Sequence, residues 1–121
     1  MSGVRVIVSI QMDSAKTVDV TMDQRIEQSK RVESTEEGCL QYEVYRSVTR
    51  PERIVLLEHW STYELYDKHW TEQLARGGRP RPRPGSTSTV EFYRHELYQL
   101  VDGIWVPSEP RHRTQTIQWS P

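Results

Sequence analysis

Residues 38–70 read GCLQYEVYRSVTRPERIVLLEHWSTYELYDKHW, and this stretch decides the fold. Within it, residues 39–47 alternate between apolar and polar side chains, and residues 53–60 form a more apolar run after the turn sequence Thr-Arg-Pro-Glu at 49–52. Such segments, rich in β-branched and aromatic residues and joined by a turn, are typical of a hairpin of two strands. The following Ser-Thr-Tyr-Glu at 61–64 fits a capping box, so a helix is predicted to begin at its serine.

The N-terminal side of this stretch predicts a strand followed by a long helix. Residues 4–12 carry apolar side chains at every even position, which predicts the first strand. After Asp13 and Ser14, residues recur at helical spacing with charged residues between them, which predicts a helix of about four turns ending near Ser34; they are Val18, Met22, Ile26, Ser29 and Val32 or Glu33. Gly38 is suited to the left-handed conformation that ends many helices.

The C-terminal side predicts a third helix and a last strand. A second capping box stands at 88–91. From it onward, apolar and aromatic residues recur at spacings of three, four, three and one: Val90, Tyr93, Leu97, Leu100 and Val101. This pattern predicts a helix from about residue 89 to 101, ended by Asp102-Gly103. Residues 104–107 predict a short extended piece. Residues 113–119 alternate as a strand within a C-terminal strand and tail at 102–121.

An arginine and proline run at 79–84 interrupts the helical pattern. Every second residue of the run lacks an amide proton and has a fixed φ, so a helix cannot continue through it. Residues 76–88 are therefore predicted to form an exposed basic loop. Three arginines separated by prolines most often form a solvated loop, and steering of an anionic substrate is the alternative.

The predicted order of elements is β-α-β-β-α-α-β. This order is typical of an α+β, ferredoxin-like fold, in which one antiparallel sheet has helices on one face. No predicted helix is left to cover the other face, so two copies are expected to pair their sheets across a two-fold axis. A length of 121 residues predicts a single domain spanning 1–121.

Composition narrows the classes of partner. Sixteen basic and seventeen acidic residues give a formal charge of −1, which offers no electrostatic footprint for a nucleic acid or an anionic membrane. The single Cys39 excludes an intramolecular disulfide, and no Cys/His pairs stand at zinc-ligand spacing. The N-terminal apolar run is too short for a signal peptide or a membrane span. We therefore expect a cytoplasmic protein with small-molecule and protein partners.

Two parts of the sequence together resemble the signature of the antibiotic biosynthesis monooxygenase family. They are Glu-Gly-Cys-Leu-Gln-Tyr at 37–42 and Ile-Val-Leu-Leu-Glu-His-Trp-Ser at 54–61, followed by Leu65 and His69. The resemblance implies a dimeric α+β barrel. It covers most of the chain, whereas the basic loop and the tail from Trp105 are less typical.

The resemblance also implies a class of chemistry. Cofactor-free members deprotonate an electron-rich phenol or anthrone, and its carbanion then reduces O₂ directly. Other members degrade haem or isomerise small signals. No flavin or metal motif appears in this sequence, so the expected cofactors are none and no metal ligands are assigned.

Candidate site residues follow from strand periodicity and from the resemblance. Glu58 and Trp60 fall on one face of the third strand, and the resemblance implies that this face looks into the pocket. Trp60 would stack on a planar substrate, or it is an ordinary core aromatic. Glu58 would act as a base if burial raised its pKa, or it serves as the partner of a neighbouring polar group.

His69 lies one turn beyond Leu65 on the second helix and is expected to face the sheet. Its ordinary pKa makes it the best general base by chemistry. The alternative is a structural histidine that bonds a helix carbonyl or Glu58. Three tyrosines are candidates for bonding a phenolate or an oxyanion, with core packing as the alternative: Tyr66, Tyr93 and Tyr42. His95 and Arg94 would lie on the third helix, with His95 at the surface.

Three functions remain open in the sequence. The first is cofactor-independent oxidation of an electron-rich, polyketide-like aromatic molecule with O₂, and the second is a cyclase or isomerase that uses the same pocket without O₂. The third is a non-catalytic dimer that binds a small molecule. Haem degradation is disfavoured because Val8 and Ser9 stand where those relatives carry an asparagine, and only His95 is a candidate for the axial ligand.

Overall fold

The computed structural model describes residues 3–77, 90–108 and 115–118, with backbone alone for 73–77, 90–95 and 115–118. These residues form two helices and six strands. In chain order they are β1 (Val4–Gln11), α1 (Ala15–Thr35), β2 (Cys39–Arg46), β3 (Arg53–Trp60), α2 (Tyr63–Gly77), β4 (Val90–Val101), β5 (Ile104–Ser108) and β6 (Gln115–Gln118). Neither described helix has the length and hydropathy needed to cross a membrane.

The strands form one antiparallel sheet in the order β2-β3-β1-β4-β5, and β6 also pairs with β4. The first four strands of that order have the ferredoxin-like arrangement, and the helices pack on one face, so the predicted α+β class is confirmed. β1 lies at the centre, where Val6 is opposite Glu58 of β3 on one side and Leu97 of β4 on the other. The register therefore places these three residues in one row across the sheet.

The core lies between the helices and one face of the sheet. In β1 the even-numbered residues are buried and the odd-numbered ones are half-buried, as the period of a strand requires. The opposing face of α1 combines buried Val18 and Val32 with four buried polar residues: Thr17, Thr21, Arg25 and Ser29. The side chains packed between α1 and the sheet therefore include polar groups as well as apolar ones.

Both helices begin at a hydroxyl cap. The Ser14 hydroxyl accepts a hydrogen bond from the backbone N–H of Thr17 at 3.2 Å, so α1 begins where the sequence predicts. In α2 the cap is Thr62, whose hydroxyl accepts from the backbone N–H of Leu65 at 3.2 Å. The capping box predicted to start at Ser61 is therefore wrong by one residue.

The predicted third helix over 89–101 is wrong, because Val90–Val101 is strand β4. Its backbone fills the second edge of β1, which would otherwise leave a row of unpaired amide and carbonyl groups. The apolar spacing read as helical also fits a strand rich in aromatic and β-branched residues. The backbone pairing of this segment with β1 favours the strand over the helix.

The same error misread Asp102-Gly103 as a helix end. Both residues have positive φ, of 49° and 78°, and they form the turn between β4 and β5. An Asp-Gly pair between two apolar segments is a strong hairpin signal that was present in the sequence. Of the other C-terminal predictions, the extended piece is β5 and the last strand is β6, whereas residues 78–88 of the basic loop lie outside the described range.

Gly38 lies between α1 and β2 and contacts the start of α2. It has a φ of +78°, and its carbonyl accepts a hydrogen bond from the Ser61 amide at 2.8 Å. A Cβ at this position would overlap the Leu65 side chain and approach the Ser61 hydroxyl to 2.7 Å. Position 38 therefore requires glycine both for its backbone conformation and for the close approach of α2.

We expect Gly38→Ala to lower the free energy of unfolding by about 2 kcal/mol, because it adds a steric overlap to an unfavourable φ. Gly103→Ala is the matched control, since Gly103 has the same φ of +78° with no other heavy atom within 4 Å of the added Cβ. Gly103→Ala should lower the free energy of unfolding by about 1 kcal/mol. Chemical denaturation measures both, and equal losses would show that the contact with α2 contributes nothing.

Candidate functional site

A cavity of about 220 Å³ opens between the end of α1, the end of β3 and α2. Its lining combines two apolar residues with charged and polar ones: Thr35, Glu36, Glu37, Trp60, Leu65, Lys68, His69 and Glu72. Two of the predicted site residues, Trp60 and His69, share this cavity. The aromatic and aliphatic parts suit a planar apolar molecule, while the histidine offers acid–base chemistry.

Trp60 and Glu58 are fully buried at the end of β3. Because they are two residues apart on one strand, they point to the same face of the sheet, which is the face that the helices cover. The Trp60 indole N–H donates a hydrogen bond to Glu58 Oε1 at 2.9 Å. Glu58 is thus the polar anchor of the indole, while Trp60 itself reaches the cavity.

Burial raises the pKa of Glu58 to about 8, opposed by the Trp60 hydrogen bond and reinforced by the negative charge of Glu36. The side chain is therefore mostly a neutral carboxylic acid at pH 7. Since Oε1 accepts from the indole, the acid proton belongs on Oε2. That oxygen is buried and has no hydrogen-bond partner within the described part of the chain.

His69 is held in place by aromatic rings. Its side chain is 1% exposed, and its ring lies 4.8 Å from that of Trp60 at an interplanar angle of 33°. Tyr42 and Trp70 contact the ring edge-on at 5.6 and 5.4 Å. The imidazole is therefore fixed in orientation beside the indole, at the wall of the cavity.

Glu36 is a site residue that the sequence reasoning did not identify. Its Oε1 lies 2.7 Å from His69 Nδ1, within the range of a charge-assisted hydrogen bond. From the sequence, the expected partner of His69 was Glu58 or a helix carbonyl. An acidic residue just before the Gly38 turn was the available signal.

The predicted tyrosines occupy different places. Tyr42 is buried on β2, opposite Glu58, and contacts His69. Tyr66 is fully buried and packs edge-on against Tyr63 at 5.5 Å, and it does not line the cavity. Tyr93 is part of β4, opposite Ile10, and its side chain lies outside the described atoms.

His95 and Arg94 belong to β4 as well, so their predicted position on a helix is wrong. Their backbones pair with Val8 and Ser9 of β1. Their side chains are outside the described atoms, and a role for His95 as an axial ligand stays untested.

Cys39 lies at the start of β2. Burial raises the pKa of its thiol to about 12, helped by the negative charges of Glu58 and nearby glutamates. The thiol therefore stays protonated near neutral pH, which is unlike a reactive nucleophile. Among the described residues, no group of three His, Cys, Asp or Glu side chains is placed to hold a metal ion.

The sequence has a clear family match. The family model described as antibiotic biosynthesis monooxygenase matches residues 4–76, which run from β1 to α2. No curated protein sequence matches the chain significantly. The matched segment contains Glu36, Glu58, Trp60 and His69.

Solved structures share the fold at low identity. A conserved protein from Methanosarcina mazei Go1 is 21% identical with a TM-score of 0.56, over 81% of this chain and 92% of that one. A candidate antibiotic biosynthesis monooxygenase from Deinococcus radiodurans is 16% identical with a TM-score of 0.59, over 84% and 97%. The heme-degrader MhuD from Mycobacterium tuberculosis, with two hemes bound in its active site, is 17% identical with a TM-score of 0.53, over 76% and 91%. These likenesses show the fold alone.

Proposed function

The chain belongs to the antibiotic biosynthesis monooxygenase family, and on that premise we propose that it is a cofactor-independent monooxygenase. Its substrate is an electron-rich, polyketide-like aromatic molecule, which it oxidises with O₂. The observation that carries the proposal is the cavity whose wall contains both Trp60 and His69. A flat indole beside an oriented imidazole suits the binding and deprotonation of a planar, weakly acidic molecule.

In this reaction His69 removes a proton from an activated C–H or O–H group, and the resulting carbanion reduces O₂. For an anthrone, the ring CH₂ group becomes a carbonyl. One atom of O₂ enters that carbonyl, and the other leaves as water with the two hydrogens lost from carbon. The substrate supplies all four electrons, so the balance requires no flavin or metal.

Glu58 acts through Trp60 in this proposal. Its carboxyl is not part of the cavity lining, and burial keeps it mostly protonated at pH 7. Of the two roles that the sequence left open, the partner of a neighbouring polar group therefore suits Glu58 better than the base. Tyr42 supports the imidazole, while contact of Tyr66 and Tyr93 with substrate remains a prediction.

A cytoplasmic homodimer is part of the proposal. The sheet face without helices carries half-buried Ile7 and Leu57, and Trp105 lies over the Arg5 guanidinium on the same face, with 5.8 Å between the guanidinium carbon and the ring centre. A second copy would cover these groups. Sedimentation at micromolar concentration would give the mass of a dimer, and a monomer at all concentrations would contradict this part.

Oxygen consumption tests the function. Metal-free and flavin-free protein is mixed with an anthrone, and the expected result is uptake of one O₂ per quinone formed, faster than the uncatalysed oxidation. Protein that never exceeds the uncatalysed rate would overturn the proposal. Turnover under argon would instead support the cyclase or isomerase, while saturable ligand binding without turnover would support a binding protein.

A further inference from the structure

We propose that Glu36 is the positioning residue of this site, because its carboxylate holds a proton on Nδ1 of His69 and so makes Nε2 the basic nitrogen. The inference deepens the proposed function and depends on it for its catalytic part. Its structural part, the tautomer of the His69 ring, stands on geometry alone. Three observations carry it: the Glu36–His69 contact, the fixed backbone of Glu36 and the enclosed ring.

The contact has the length of a strong hydrogen bond. Glu36 Oε1 lies 2.7 Å from Nδ1, and the exposed fraction is 22% for the Glu36 side chain and 1% for that of His69. A carboxylate can only accept, so the ring nitrogen must donate. In a neutral imidazole the lone pair is then on Nε2, because the hydrogen bond made by one nitrogen sets the state of the other.

The backbone of Glu36 is fixed on both sides. Its amide donates to the Val32 carbonyl at 3.0 Å, and its carbonyl accepts from the Cys39 amide at 3.3 Å. Glu36 is the C-cap of α1 and has an extended backbone conformation, with φ of −92° and ψ of 130°. The carboxylate therefore starts from a constrained backbone position, two residues before Gly38, whose carbonyl accepts a hydrogen bond from the Ser61 amide.

The His69 ring has little room to turn away from this partner. The Trp60 ring lies beside it with a tilt of 33°, and Tyr42 and Trp70 meet it edge-on. A ring confined in this way keeps a chosen tautomer and orientation, and so loses little entropy when it accepts a proton. A carboxylate at Nδ1 also stabilises the imidazolium that forms once Nε2 has taken the proton, which a neutral partner would do less well.

Nitrogen NMR of the ring tests the structural part without any substrate. The protein is labelled with ¹⁵N-histidine and observed at pH 7.5, and His69 is assigned among the four histidines by its absence in His69→Gln. In the wild-type protein we expect the proton on Nδ1 and the lone pair on Nε2. Glu36→Ala should shift the ring toward a mixture of tautomers, and Glu36→Gln, which keeps an acceptor oxygen, should shift it less.

Glu33→Gln is the matched control, because Glu33 is an exposed carboxylate near the end of the same helix and should leave the His69 spectrum unchanged. Circular dichroism and thermal melting confirm that each variant is folded. A ring protonated on both nitrogens at pH 7.5, or a tautomer that is the same in Glu36→Ala as in the wild type, would overturn the proposal.

Kinetics test the catalytic part. With the aromatic substrate of the oxygen assay, Glu36→Ala should lower kcat by roughly 10²-fold with little change in KM, and Glu36→Gln should be intermediate. A shifted tautomer with unchanged kcat would overturn the positioning role. If the wild-type protein shows no turnover, the proposed function fails, and the NMR result still decides whether Glu36 sets the tautomer.

Discussion

The free energy of unfolding should fall as the pH rises from 5 to 9, and Glu58→Gln should remove most of that fall. In the folded protein burial raises the pKa of Glu58 to about 8, against an ordinary value of 4.5. Between these two values the folded state binds more protons than the unfolded state, so raising the pH favours unfolding. The stability linked to this proton is fully present below pH 4.5 and is lost as the pH passes through 8.

Between pH 5 and pH 9 the free energy of unfolding of the wild-type protein is expected to fall by roughly 3–5 kcal/mol. Glutamine has the same shape and no charge, so at pH 9 Glu58→Gln should be more stable than the wild type by a similar amount, and at pH 5 the two should be alike. Urea titrations at five or six pH values measure the difference. Other carboxylates contribute equally to both proteins, and Glu33→Gln checks this. Parallel curves for the wild type and Glu58→Gln would contradict a buried, protonated Glu58.

The second large effect is expected at His69. If this imidazole is the base, His69→Gln should lower kcat by about 10³-fold, because proton transfer by a positioned side chain contributes about 10²–10⁴-fold. KM should change little, since Trp60 and Leu65 still line the cavity. The measurement is the initial rate of oxygen uptake at saturating substrate, after subtraction of the uncatalysed rate.

His59→Gln is the control of the same residue type. His59 neighbours Trp60 on β3 but points to the opposite face of the sheet, where its ring lies 5.5 Å from that of Trp105. It should leave kcat unchanged. Equal losses in the two variants would indicate a general effect of destabilising β3, and retained activity in His69→Gln would remove His69 from the mechanism.

The N-terminal two thirds of the fold could be predicted because local signals and tertiary pairing agree there. Period-two alternation indicates β1 and β2, and helical spacing of apolar residues indicates α1, which begins directly after Ser14. The pattern of residues 90–101 fits two structures equally well in isolation. The vacant edge of β1 selects the strand, and the Asp102-Gly103 turn signal after the segment is the local evidence that agrees with it.

The candidate site could also be predicted in part. Strand periodicity put Glu58 and Trp60 on one face, and helical spacing turned His69 toward them. The partner of His69 was not predictable, because Glu36 reaches it only after α1 and α2 have docked, 33 residues apart in sequence. The raised pKa of Glu58 likewise depends on complete burial, which a single sequence does not report.

Gly38 is expected to link the stability of this protein to its proposed activity. It lies two residues after Glu36 and directly against Leu65 of the helix that carries His69, although it holds no reactive group itself. Random mutagenesis followed by selection for activity should therefore recover position 38 as intolerant, alongside the chemical residues. A selection for thermal resistance should likewise recover no substitution at position 38. Improvements in either property would have to come from other positions.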